Sequence, residues 1–207
     1  MAQASRFHIQ MRQLLRERVI ATAREVVCAE GWGAVNMSRL AKEVGVSRPV
    51  LYNEIGTKQD LADVVIRHEV ETFLVGIAES LADHPDDVIA GLTGAVEFTL
   101  RGGADNPLLA AVLSGRSDDA ALLPTLMTDP DPVLGRALAA VTAAVRAQYG
   151  LDDLSDDELA SKTEIIIRLT LSHLFQPLGP IDRAARQIAV VVACVFMPVP
   201  ESALPRV

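Results

Sequence analysis

The stretch VGVSRPVLYNEIGTKQDL, residues 44–61, decides how this 207-residue chain is read. Ser47 is a helix-capping residue type, and Pro49 stands in a first turn, where a missing amide donor is no loss, so a helix starts there. Val50, Leu51 and Ile55 give that helix its apolar positions, and Gly56 ends it. Thr57 caps a second start, with Asp60 three residues on to complement the helix dipole.

Working upstream, residues 13–30 repeat apolar side chains at helical spacing through Leu15, Val19, Ala23, Val26 and Val27, then stop at Gly31. Asn36 caps another short helix that carries Leu40, Ala41 and Val44 and ends at Gly45. Two helices of two turns each, joined by a few residues with a glycine, form the helix-turn-helix pattern. The second of the two sets Arg48, Pro49, Tyr52 and Asn53 outward, with Leu51 and Ile55 inward. In a major groove Arg pairs with guanine, Asn with adenine and Tyr with a phosphate, while Val50 is small enough to meet a thymine methyl. Thr57 and Lys58, at the next helix start, read as a phosphate anchor. A helical hairpin whose charges simply sit in water is the blander reading of the same residues.

Charge separates the two ends of the chain. Residues 1–60 carry nine Lys/Arg against six Asp/Glu, and residues 61–207 carry ten against 21, so a head of +3 is joined to a body of −11. That asymmetry fits a polyanion partner for the head alone. Half the residues are apolar, only 4% are aromatic, and no Asn-Gly or Asp-Gly hairpin dipeptide occurs, which predicts an all-α chain. Beyond a long fourth helix ending near residue 83, helices are expected over about 87–101, 106–115, 119–127, 132–149, 156–176 and 181–196, bounded by RGGADNP, GRSDD, TDPDP, GLDDLSDDE and QPLGP. Paired aspartates at these starts read as caps, and no metal site is expected. Cys28 and Cys194 read as buried reduced thiols. The most apolar segment, IAVVVACVFMP, has 11 residues where a membrane span needs about 20, so a cytoplasmic protein without membrane contact is expected.

Residues 34–61, AVNMSRLAKEVGVSRPVLYNEIGTKQDL, resemble the DNA-binding domain of the TetR family of bacterial transcriptional regulators. NMSRLA, GVSRPVLYNEI and GTKQDL stand where that family has T-M-x-x-I-A, G-V-S-x-x-x-L-Y-x-x-F and x-S-K-x-x-L, and the match extends back through AREVVCAEGWGAV. The resemblance implies a helix-turn-helix domain over residues 1–56 with an N-terminal arm, and a helical ligand-binding and dimerisation domain over 57–207. It implies a homodimer on a double-stranded operator, repression by default, and DNA contacts at Asn36, Ser38, Ser47, Arg48, Pro49, Val50, Tyr52, Asn53 and Lys58. Ile55 departs from the family's aromatic residue. Three placements are open to Glu54: pointing away, pairing with Arg48 or Lys58, or accepting from a cytosine. The segment before Gln13, with Arg6, His8 and Arg12, is open between a flexible DNA-reaching arm and plain solvation.

EIIIRLTLSHLF and RQIAVVVACVF are apolar nearly all round, as helices buried by their own subunit and a partner would be, so the last two helices are the candidate dimer interface. The remaining body offers Phe98, Leu109, Leu113, Leu126 and Met127 to a small apolar or amphiphilic effector such as a fatty acid, with Arg101, Arg168 or His173 for a carboxylate head. Each of the three has a duller reading: a helix-end surface residue, an interface pair and a hydrogen-bonded core histidine. Enzyme motifs fail: His68-Glu69-Val70-Glu71-Thr72 has Thr where a zinc helix needs its second His, Gly31-Trp32-Gly33 follows no strand, and no Gly-x-Ser-x-Gly elbow occurs. No cofactor is implied. A helical interaction module without DNA binding is the other rival.

Overall fold

The computed structural model describes residues 2–106, 108–109 and 134–197, the side chains of 2–5 excepted. Every regular element among them is helical: α1 (Ala2–Glu30), a 3-10 turn (Trp32–Ala34), α2 (Met37–Val44), α3 (Arg48–Ile55), α4 (Lys58–Ala82), α5 (Val88–Ala104), α6 (Arg136–Tyr149), α7 (Asp156–Phe175) and α8 (Ile181–Phe196). The all-α expectation holds, and the two short helices fall where their caps predict. Leu113, Leu126 and Met127, with the helices expected around them, lie outside the described residues.

The chain divides into two compact units, with the division at Glu71 inside α4. In the first, Val19, Ala23 and Val27 of α1, Leu40 of α2, and Leu51 and Ile55 of α3 close one core with Trp32 and Leu61. The caps set the angles between these helices. Asn36 Oδ1 accepts from the Ser38 amide at 2.8 Å. Gly45 takes φ 85°, ψ 29°, the left-handed conformation that reverses the chain between α2 and α3. Gly56 takes φ 93°, and a Cβ there would strike the Asp60 carboxylate. Arg39 donates to both oxygens of Glu30 (2.7 and 2.8 Å) and to Glu43 (2.8 Å), tying the end of α1 to α2.

α1 begins at Ala2, so the stretch before Gln13 is continuous helix and not a flexible arm. No glycine precedes Gly31 and no proline precedes Pro49, so nothing breaks the helix. Ser47 stands at the N-cap of α3, yet its side chain makes no capping hydrogen bond. Both cysteines are free and exposed, against the expectation of burial. Cys28 follows the core residue Val27 but is turned about 100° round α1 from it, and Cys194 lies on the outward face of α8 with Val190, Met197 following at its C-terminal end.

In the second unit α5 packs on α7 and α8 around Leu92, Val96, Leu100, Leu159, Ile166 and Ile188. Ser155 and Glu158 cap α7 reciprocally. Thr163 and Thr170, buried in this core, donate their hydroxyls to the carbonyls of Leu159 and Ile166. Among the described residues no helix is long and apolar enough to cross a membrane, and no cluster of metal-ligating side chains occurs.

Candidate nucleic-acid interface

α3 has a buried and an open side: Leu51 is fully buried, while Val50 and Tyr52 on either side are 41% and 42% exposed. Ser47, Arg48, Pro49 and Asn53 are exposed with them, so the side chains of reading chemistry share one solvent-facing surface. Asn36 is exposed and Ser38 half-buried at the start of α2. The surface is made by its reverse side, since Leu51 and Ile55 fix the rotation of α3 by filling the core. A one-residue slip would bury Tyr52 and expose Leu51.

The start of α4 is held as tightly. The Asp60 carboxylate accepts from the Thr57 amide and hydroxyl, both at 2.7 Å, and the Thr57 hydroxyl accepts from the Asp60 amide at 3.2 Å. The hydroxyl bond first, and the amide bond second, hold the Asp60 carboxyl below its ordinary pKa. Lys58 is half-buried: its Nζ donates to the Trp32 carbonyl at 3.0 Å and sits 5.3 Å from the indole centroid. Carbonyl and ring face hold the ammonium at the N-terminal end of α4, where the first amides also favour an anion. The sequence marks Trp32 as the chain's lone tryptophan, directly after a helix-ending glycine, but gives no sign of its contact with Lys58.

Glu54 pairs with neither Arg48 nor Lys58. Both its oxygens accept from Arg12 Nε of α1, at 2.8 and 3.0 Å. A carboxylate so held is paired with a cation instead of standing bare.

The residues proposed for an effector are less convergent. Arg101 is exposed and engaged by Glu97 and Asp182, and Arg168 is exposed and engaged by Glu164. Arg101 is thus a surface residue near a helix end, and the pair Arg168 makes lies within its own helix. His173 is half-buried on α7, and Phe98 of α5 is partly exposed and meets Phe73 edge-on with centroids 6.2 Å apart. Leu109 is half-buried and belongs to the first unit, whereas the other four belong to the second.

A core-fixed reading helix, a cationic anchor and a capped turn define a helix-turn-helix DNA-binding protein. Residues 19–65 match the family model for bacterial regulatory proteins of the tetR family, and residues 87–194 match that for the bacterial tetracyclin repressor C-terminal domain. The chain belongs to the TetR family of bacterial transcriptional regulators and is a DNA-binding regulator, not an enzyme. Among its relatives, the transcriptional regulator AlkX of Mycobacterium tuberculosis is 30% identical over 167 residues, 80% of this chain and 77% of that one. The transcriptional activator FasR of Mycolicibacterium smegmatis is 31% identical over 72 residues, 35% of this chain and 33% of that one. The crystal structure of the TetR family repressor AlkX from a Dietzia species, implicated in biodegradation of n-alkanes, aligns with a TM-score of 0.72 at 25% identity, covering 87% of this chain and 94% of that one.

Proposed function

We propose that this protein is a homodimeric repressor whose two α3 helices enter successive major grooves of an operator, and which a long aliphatic effector releases. The observation that carries the DNA half is the single exposed surface of Ser47, Arg48, Pro49, Val50, Tyr52 and Asn53, backed by buried Leu51 and Ile55. In this reading Arg48 and Asn53 read bases, Tyr52, Thr57 and Lys58 hold phosphates, and Asn36 and Ser38 steady the α2 end.

Dimerisation is supported by what one copy leaves uncovered. Ile165 of α7 and Val190 of α8 remain 46% and 64% exposed, with Cys194 and Met197 continuing the α8 stripe. A second copy seated there would bury them in a four-helix bundle and fix the spacing of the heads.

The aliphatic effector is supported by the relatives, one named in connection with n-alkane degradation, and by the apolar character of the second-unit core among the described residues. Arg101 and Arg168 already have carboxylate partners, which leaves His173 as the polar contact for an amphiphilic head. A ligand lowers operator affinity only if it prefers the conformer that spans the grooves badly. Within the first unit, Asn106 Oδ1 accepts from the amides of Leu108 and Leu109 while its Nδ2 donates to Glu69 at 2.7 Å. Glu69 in turn pairs with Arg24 of α1.

The test is operator release. A fluorescent duplex selected by the protein should be freed by medium- and long-chain fatty acids or alkanes, and solvent extraction of the purified protein followed by mass spectrometry should return an aliphatic species. Release by polar aromatics alone would replace the aliphatic reading while leaving DNA binding intact.

A further inference from the structure

The Arg12–Glu54 pair joins a residue of α1 outside the helix-turn-helix to the last turn of the reading helix. Glu54 is 14% exposed, although its neighbours Tyr52 and Asn53 lie open, and both its oxygens accept from the guanidinium of Arg12, itself 66% exposed. An acidic residue at this place is a problem for a helix that must approach a polyanion. Left bare, it would repel the phosphate backbone and raise the free energy of every complex, whatever the sequence. Arg12 reaches it because α1 is helical back to Ala2, which lays residue 12 seven positions before the core residue Val19 and so on the same side of the helix.

We propose that Arg12 is the built-in counter-ion of Glu54: a positioning residue that neutralises the carboxylate of the reading helix and so permits α3 to seat against DNA. This rests on the DNA-binding surface proposed above. Arg12 does not spend its charge on a phosphate in this arrangement, because the carboxylate holds it. Exposed pairs of this kind are modest individually, so the effect of unmasking Glu54 is up to about fivefold in affinity per half-site, and on the order of tenfold or more for a dimer using two.

The experiment compares the wild type with Arg12→Gln, Glu54→Gln, Arg12→Lys and the double variant Arg12→Gln/Glu54→Gln. Each binds the best duplex that the wild-type protein selects from a random 30-base-pair library, across a salt series, with thermal melting recorded in parallel. Arg12→Gln should weaken binding by about tenfold, Arg12→Lys should stay near wild type, and Glu54→Gln should bind at least as tightly as wild type with a steeper salt dependence. The double variant should return to wild-type affinity. That rescue separates neutralisation from scaffolding, because a pair that merely braced α1 against α3 would lose affinity in all three Gln variants. Equal weakness in Arg12→Gln and the double variant would show Arg12 touching DNA itself and overturn the proposal, as would unchanged binding in all variants or a loss in Glu54→Gln alone. If the library yields no selected duplex, the DNA-binding reading falls and this inference with it. A selected duplex with no rescue sinks only the inference.

Discussion

Leu51→Ala separates the two faces of α3. Leu51 is fully buried between α1 and α2, and the substitution removes three carbon atoms from that core. At about 0.8 kcal/mol per buried methylene, transfer alone comes to about 2.4 kcal/mol, and the cavity left behind brings the loss to about 3–5 kcal/mol. In a unit of this size each kcal/mol lowers the melting temperature by about 4–8 °C, so the first unit should melt at least about 12 °C earlier. Trp32 is the chain's lone tryptophan and belongs to the same core, so its emission reports that unit directly. Tyr52→Ala, one position along and 42% exposed, should leave the melt within about 0.5 kcal/mol of wild type while DNA affinity falls. A Leu51→Ala protein that loses less than about 1 kcal/mol and still binds DNA would refute the rotation of α3 on which the interface stands.

Other expectations follow from the same geometry. Arg48→Ala should relax preference at one base pair of each half-site by about 1–3 kcal/mol, whereas Lys58→Ala, lost from both heads, should weaken all sequences alike and reduce the salt slope by about two, both measurable by titration of selected and scrambled duplexes. Gly45→Ala should destabilise the first unit by about 1 kcal/mol, since φ 85° is strained for alanine although no neighbour crowds the position; the Trp32 melt reads it. Asp60 has a lowered pKa in the folded protein, so its contribution is complete above the ordinary carboxylate range and is lost as pH falls through the folded value. Asp60→Asn should therefore flatten the acid side of the stability profile and leave the neutral side parallel to wild type.

Local chemistry made much of this legible in the sequence. Asn36, Gly45, Gly56 and Asp60 act on residues within four positions of themselves, so their roles as caps and stops could be read from spacing, and α8 was expected over the residues it occupies. What escaped depends on distance along the chain. Lys58 meets Trp32 across 26 positions, Glu54 meets Arg12 across 42, and Arg101 meets Asp182 across 81, and no periodicity announces such pairs. The N-terminal part of α1 escaped for another reason: its large apolar residues, Phe7, Ile9, Met11 and Leu14, stay exposed in the chain and join no core cluster. Exposure of Cys28 and Cys194 follows from helix rotation, which an apolar neighbourhood in sequence does not specify.

The salt dependence of operator binding tests the central claim most directly. Two heads making about eight phosphate contacts between them, with Lys58 and Tyr52 among the donors, should give a slope near −7 in a plot of log affinity against log salt concentration. A slope near zero, or affinity too weak to titrate at 50 mM salt, would contradict a DNA-reading role for the exposed face of α3.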